Sequence, residues 1–279
     1  MIRIAGATFS FGDLTLEESG KVVKELGFDL VDVGAGWNNY HQIIPQEAIA
    51  HPGAQSERLL RVMDEYEFGV SELFVMQFDH PISHPDDFVR ANTLWMFDRM
   101  TLFAQKVGFE SIMMLPGFLV EEFGQTPEEV FDVSVEALGR MVKVAEAKGI
   151  QCNIEPCKGS IANHPDDAIR LCEAVPGLGL TLDYAHQVLI GLGHDEIEPL
   201  HPYAKHFHAK QARPDAFMAR PDEGAIDFGR LVRKLKEEDY DGVICIEFVE
   251  SQEVLDAGWD LKVETARLKQ VVEEALAAA

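Results

Sequence analysis

Four ionisable residues stand at the ends of short apolar, β-prone runs: Glu155 closes IQCNIE, Asp183 closes GLTLD, His208 closes AKHFH and Glu247 closes VICIE. An ionisable group beside a core is costly unless it is paired, hydrogen-bonded or bound to a metal. Parallel strands bring their C-terminal ends to one face, where three carboxylates and an imidazole can converge on one divalent cation. The set contains no thiolate, and its carboxylates favour harder cations. Manganese is the first choice, with Mg²⁺, Co²⁺, Zn²⁺ or Fe²⁺ as alternatives. Taken singly, each residue reads as well as a helix cap or a salt-bridge partner. The case rests on all four ending consecutive strands.

His186 follows Asp183 by three residues in LDYAH and projects the same way from a strand-to-helix turn. It is a fifth ligand or a group that holds a substrate hydroxyl. His206 and His208 lie two apart on one strand and so face one side. His208 is nearer the C-terminal end and is the better ligand; His206 lies one layer deeper and supports or packs. Lys158, Lys210, Arg213 and Arg220 fall on loops at the same face. There they bind an anionic group of the substrate or are ordinary solvated cations. Trp37, Tyr40, Phe78 and Phe118 are candidates for an apolar wall against the substrate, and Glu223 for orienting Lys210.

The elements that must position these residues alternate along the chain. Strand-like runs cover 2–7, 30–33, 69–77 and 111–115, followed by the four marked runs 150–155, 179–183, 204–208 and 243–247. Helical spacing covers 16–26, 55–66, 85–107, 127–148, 165–174, 195–200, 227–238 and 261–278. Gly27, Gly108 and Gly149 stand as helix stops, and Thr126-Pro127-Glu128-Glu129 reads as a helix start. Eight strand–helix units of about 35 residues each predict an α/β fold, a single (β/α)8 TIM barrel over residues 1–279. A doubly wound open sheet would want a glycine-rich phosphate turn after its first strand, and GATFSFG is not one. The polar and aromatic segment 36–52 is expected to form a loop, part of a lid or substrate wall.

Composition narrows the function classes. A net charge of −24 opposes nucleic acid and anionic membranes as partners. No apolar run reaches membrane-spanning length, and MIRIAGATFS lacks the marks of a signal peptide, so a cytoplasmic location is expected. The four cysteines, Cys152, Cys157, Cys172 and Cys245, form no CxxC pair and read as reduced thiols. A homo-oligomer is left open.

The runs NIEP, TLDYAH, HFHAKQAR and CIEF, with DEGAIDF between the last two, resemble those of the xylose isomerase-like TIM-barrel superfamily. That family includes sugar phosphate isomerases/epimerases, ketose 3-epimerases, inosose dehydratase and, distantly, endonuclease IV. The resemblance spans the chain and is sharpest from Glu155 to Glu247. It implies that Glu155, Asp183, His208 and Glu247 ligate the metal, and that His186 contacts substrate. Arg213 is the nearest match to a substrate-binding arginine, and Trp37 is expected in the substrate wall. It also implies that Glu155 and Glu247 double as an acid/base pair around a metal-stabilised enediolate. Proton return to the opposite face gives an epimer; return to the neighbouring carbon gives an isomer.

The chain departs from the family pattern at two places. Lys210 and Gln211 stand where many members carry an Asp after the metal histidine, and Val33-Gly34-Ala35 offers no strand-two ligand. The expected activity is isomerisation or epimerisation of a small carbohydrate: a sugar, polyol or sugar phosphate. The rivals are a lyase dehydrating an inosose or keto acid with His186 or Lys210 as acid, a non-catalytic barrel subunit, and an endonuclease IV-like nuclease. For the nuclease, His80 is available as a ligand, but residues 220–224 (RPDEG) lack the required histidine.

Overall fold

A computed structural model describes residues 1–12, 14–36, 42–76 and 80–279. Its eight strands are β1 (Arg3–Ala7), β2 (Leu30–Ala35), β3 (Gly69–Val75), β4 (Ser111–Met114), β5 (Gln151–Ile154), β6 (Gly179–Asp183), β7 (Ala204–Ala209) and β8 (Val243–Ile246). Each pairs in parallel with the next, and β8 closes on β1. Parallel neighbours need long crossovers, and helices between the strands supply them. The fold is a single (β/α)8 TIM barrel.

Strand alternation decides what faces the barrel axis. Along β5 and β6, Cys152, Ile154, Leu180 and Leu182 point outward into the main core under the helices. Asn153, Glu155, Thr181 and Asp183 take the opposite face. The same rule turns Phe207, Ile244 and Ile246 outward, and His206, His208, Cys245 and Glu247 inward. The barrel interior is therefore only partly apolar. Ala5, Ala7, Phe9, Phe74, Met113 and Cys245 form a small inner cluster, and polar side chains fill the remainder.

Register levels the site residues at one mouth. Asp183 pairs with His208 across β6–β7, and His208 with Cys245 across β7–β8. The ladder runs one residue beyond two strands: the Glu155 N–H donates to the Met114 carbonyl at 3.1 Å and the Glu247 N–H to the Ala209 carbonyl at 3.0 Å.

The helices follow local rules. α1 (Leu16–Glu25) opens with a capping box between Thr15 and Glu18. The segment after β2 contains a helix, α2 (Pro45–Ala50), and α3 (Pro52–Tyr66) begins earlier than expected. Proline at the first turn explains both starts, because its fixed φ suits that position and its missing N–H costs nothing there. Trp37, Tyr40 and Phe78, and with them part of the expected lid, lie outside the described residues. α4 (Asp87–Val107) stops at Gly108, whose φ of 100° is a conformation that side chains disfavour. α5 (Pro127–Glu146) starts from the expected cap at Thr126. α6 (Pro165–Ala174), α7 (Tyr184–Leu189), α8 (His194–Ile197), α9 (Phe228–Glu237), α10 (Gln252–Asp256) and α11 (Leu261–Ala278) complete the ring. Among the described residues no helix is long and apolar enough to cross a membrane. All four cysteines are buried and free.

Candidate functional site

Three carboxylates, two imidazoles and one ammonium meet at the C-terminal mouth. His208 Nδ1 lies 3.1 Å from Glu155 Oε1 and 3.0 Å from Glu247 Oε2. Lys210 Nζ lies 2.5 Å from Asp183 Oδ2 and 2.6 Å from Glu247 Oε2. His186 Nε2 sits 3.6 Å from Glu155 Oε2 and 3.9 Å from Asp183 Oδ2. Asp183 has a second task. It is the N-cap of α7, its Oδ1 accepting from the Ala185 N–H at 2.9 Å, which leaves Oδ2 to the site. Thus the TLDYAH run ends a strand, caps a helix and places His186 on that helix's first turn.

Burial sharpens the electrostatics. Lys210 is only 1% exposed and Asp183 0%. Burial opposes ionisation of Glu155, but His186 and His208 outweigh it and hold its carboxyl well below the usual range. Glu247 is likewise opposed by burial and pulled down to about 2 by Lys210 and His208. Burial disfavours a charged His208, yet Glu247, Asp32 and Glu155 raise it well above the ordinary histidine value. Lys210 is raised in the same way by Asp183, Glu247 and Glu155 against burial. Asp183 goes the other way: burial, with Glu247 and Glu155, pushes it up despite Lys210 and His186. Lys210 and His208 together face three carboxylates, so the positive charge at the mouth is outnumbered.

A deeper polar layer supports the mouth, and sequence reading did not find it. Asp32 on β2 and Glu72 on β3 are both fully buried. Asp32 Oδ2 lies 2.7 Å from His206 Nε2 and 3.5 Å from His208 Nε2. Glu72 accepts hydrogen bonds from the Ser111 hydroxyl at 2.7 Å, the Asn153 amide at 2.8 Å and the Thr181 hydroxyl at 2.7 Å. An ionisable residue inside an apolar strand run was the available signal in LVDVG and GVSELFV, the same signal that marked the strand ends.

Above the mouth lies a cavity of about 360 Å³. Its floor is Glu155, His186, Lys210 and Glu247; Phe9, Phe74, Met76, Leu115, Phe118 and Phe217 form an apolar wall. Lys158 also lines it. Several expected residues are elsewhere. Arg213 is exposed in a turn paired with Ala216 and is not part of the lining. Arg220 sits 3.5 Å from Glu264 and 3.8 Å from Glu223, so these three form a peripheral ion cluster instead of orienting Lys210. His80 is exposed and packs its ring against His84 at 5.1 Å. Trp37 lies outside the described residues.

Two overlapping groups of donors at the mouth could hold a divalent ion. Donor atoms of Glu155, His208 and Glu247 lie within 4.8 Å of one another, as do those of Glu155, Asp183 and His186. Asp183 Oδ2 is buried, with the Lys210 ammonium at 2.5 Å and His186 Nε2 at 3.9 Å. Asp32, Glu72, His206 and His208 also approach one another, but Glu72 is already committed to three hydrogen bonds and Asp32 to His206.

Residues 21–272 match the family model described as xylose isomerase-like TIM barrel, and the chain belongs to that family. An uncharacterized protein of Methanocaldococcus jannaschii is 27% identical over 181 residues, an alignment covering 59% of this chain and 61% of that one. A solved D-tagatose 3-epimerase-like protein superposes with a TM-score of 0.77 at 23% identity, covering 99% of this chain and 98% of that one. The probable 3-DHS dehydratase of petrobactin synthesis from Bacillus anthracis superposes at 0.72 with 15% identity, covering 96% and 99%. At these identities the two structures share the fold with this chain.

Proposed function

We propose that this chain is a divalent-metal-dependent isomerase or epimerase of a small carbohydrate (a sugar, polyol or sugar phosphate), with residues 1–279 acting as one domain. The observation that carries the reading is the meeting of Glu155, Asp183, His208 and Glu247, from four consecutive strands, beneath one cavity. These four would hold the ion, manganese first, with magnesium, cobalt, zinc or iron(II) as alternatives. When bound, the ion would polarise a substrate carbonyl and offset negative charge on the neighbouring oxygens.

The protein's own groups do the proton work. Glu155 and Glu247 both line the cavity and flank His208 Nδ1. Their depressed pKa values keep both able to accept a proton at neutral pH. One removes the proton from carbon; the other, once it has taken a proton from solvent, delivers that proton to carbon. His186 and Lys210 line the same floor and hold substrate hydroxyls. The phenylalanines give the cavity an apolar side against which the carbon face of a sugar would pack.

Elimination of water from an inosose or keto acid is the second reading. It is favoured by Lys210, an ammonium 2.6 Å from Glu247 on the cavity floor, placed to protonate a leaving hydroxyl. A substrate panel of ketoses, aldoses, their phosphates, inososes and keto acids, run with Mn²⁺ in D₂O, separates the two. Deuterium incorporation with conserved skeleton and oxygen count supports the isomerase, and loss of water supports the lyase. Neither exchange nor product across the panel would sink both and leave a non-catalytic barrel.

A further inference from the structure

The lysine at the mouth is placed unlike an ordinary loop cation. Lys210 follows His208 by two residues, so alternation sends its side chain to the same inner face. It is 1% exposed, and its Nζ contacts Asp183 Oδ2 at 2.5 Å and Glu247 Oε2 at 2.6 Å. The second of those oxygens also lies 3.0 Å from His208 Nδ1. The ammonium therefore sits on oxygens of the donor set itself, not beside it. Its path out is short: Nζ lines the cavity and lies 4.9 Å from the centre of the Phe217 ring. The ammonium thus already lies over that aromatic face while it bridges the two carboxylates.

We propose that Lys210 is the resident cation of this donor set, holding Asp183 and Glu247 together and competing with a divalent ion for their oxygens. The inference rests on the metal reading above and adds an exchange to it. His208 offsets Glu155 and Glu247, but without the Lys210 ammonium the buried Asp183 and Glu247 carboxylates repel one another. With the ammonium between them, the set stays assembled. A divalent ion that draws on Asp183 Oδ2 and Glu247 Oε2 competes with that ammonium, because ion and ammonium repel each other at contact distance. The displaced ammonium turns into the cavity that Lys210 lines, where it meets an oxygen of the substrate. The barrel thereby keeps its site formed at low metal concentration, at the expense of metal affinity.

The test is Lys210→Met, which keeps the stem and removes the charge. Mn²⁺ binding is measured by isothermal titration calorimetry, and melting temperature is measured with chelator and with Mn²⁺. The variant is expected to bind Mn²⁺ about tenfold tighter or more. Its chelated form should melt below the chelated wild type, and Mn²⁺ should restore most of the difference. Lys210→Arg keeps the charge and is expected to show no such gain in affinity. Equal or weaker Mn²⁺ binding by Lys210→Met, in a wild type that binds Mn²⁺, overturns the inference and leaves the metal reading standing. An equal gain in Lys210→Arg also overturns it, because the effect is then packing and not charge. No Mn²⁺ binding by wild type or variant sinks the metal reading, and the competition falls with it. Should Lys210→Met not fold, Lys210→Gln, which can hydrogen-bond both carboxylates, is judged by the same outcomes.

Discussion

Asp32 Oδ2 lies 2.7 Å from His206 Nε2 in the fully buried interior of the barrel. Burial works against the Asp32 charge, but His206 and His208 overcome it and hold the carboxyl far below its usual range. His206 is raised in turn by Asp32 and Glu72 against burial. The pair is thus ionic. Asp32 is further held by the Glu72 N–H at 3.0 Å and the Ser71 hydroxyl. Through this anchored carboxylate the β7 histidines are oriented before any ligand arrives.

Removing one member of a buried ion pair strands the other charge. Asp32→Ala should cost about 3–5 kcal/mol of stability, and Asp32→Asn less, because the amide still hydrogen-bonds. Urea unfolding of both variants measures it. A loss under about 1 kcal/mol for Asp32→Ala would mean that the pair is not ionic.

Glu247→Gln should keep the fold and remove a base, and Glu155→Gln should behave alike. Loss of a positioned base typically costs about 10²–10⁴ in rate. The measurement is deuterium incorporation at the substrate carbon. Wild-type exchange in both variants contradicts the two-base mechanism. If one variant alone fails, that residue takes the first proton, and the reverse reaction should exchange the roles.

Asp183→Asn separates the two tasks of that residue. Asparagine still caps a helix, so with chelator the cap of α7 should be intact. The charge on Oδ2 is lost. The rise in melting temperature on adding Mn²⁺ should therefore be smaller than in wild type, since an ion that binds only the folded state stabilises it by its affinity. An identical rise would remove Asp183 from the ligand set.

His201 supplies a pH dependence remote from the mouth. Its Nε2 lies 2.7 Å from the Tyr184 hydroxyl and its Nδ1 2.7 Å from Glu238 Oε2. A neutral ring satisfies both, accepting from the tyrosine and donating to the carboxylate. Burial lowers its pKa and outweighs Glu238. With the folded value depressed, its contribution is present above the unfolded value of about 6.5 and is lost as pH falls through the folded value. The melting temperature should decline as pH falls below about 6.5, and His201→Phe should flatten that portion of the profile. An unchanged slope in the variant would assign the decline to other groups.

By itself the sequence determined the barrel and the level of its mouth. Alternation along IQCNIE, GLTLD, AKHFH and VICIE turns one residue set outward and brings Glu155, Asp183, His208 and Glu247 to the inner face at the strand ends. That much is local, because period two and a terminal polar residue are properties of each run. Partners from distant strands are not. Asp32 meets His206 across 174 positions of chain, and Glu72 meets Thr181 across 109. Only closure of β8 on β1 turns isolated buried charges into pairs. Lys210 reads in the sequence as one loop cation among four. The tertiary structure alone buries it, because Asp183 and Glu247 arrive from the strands on either side of its own and leave its charge no better place.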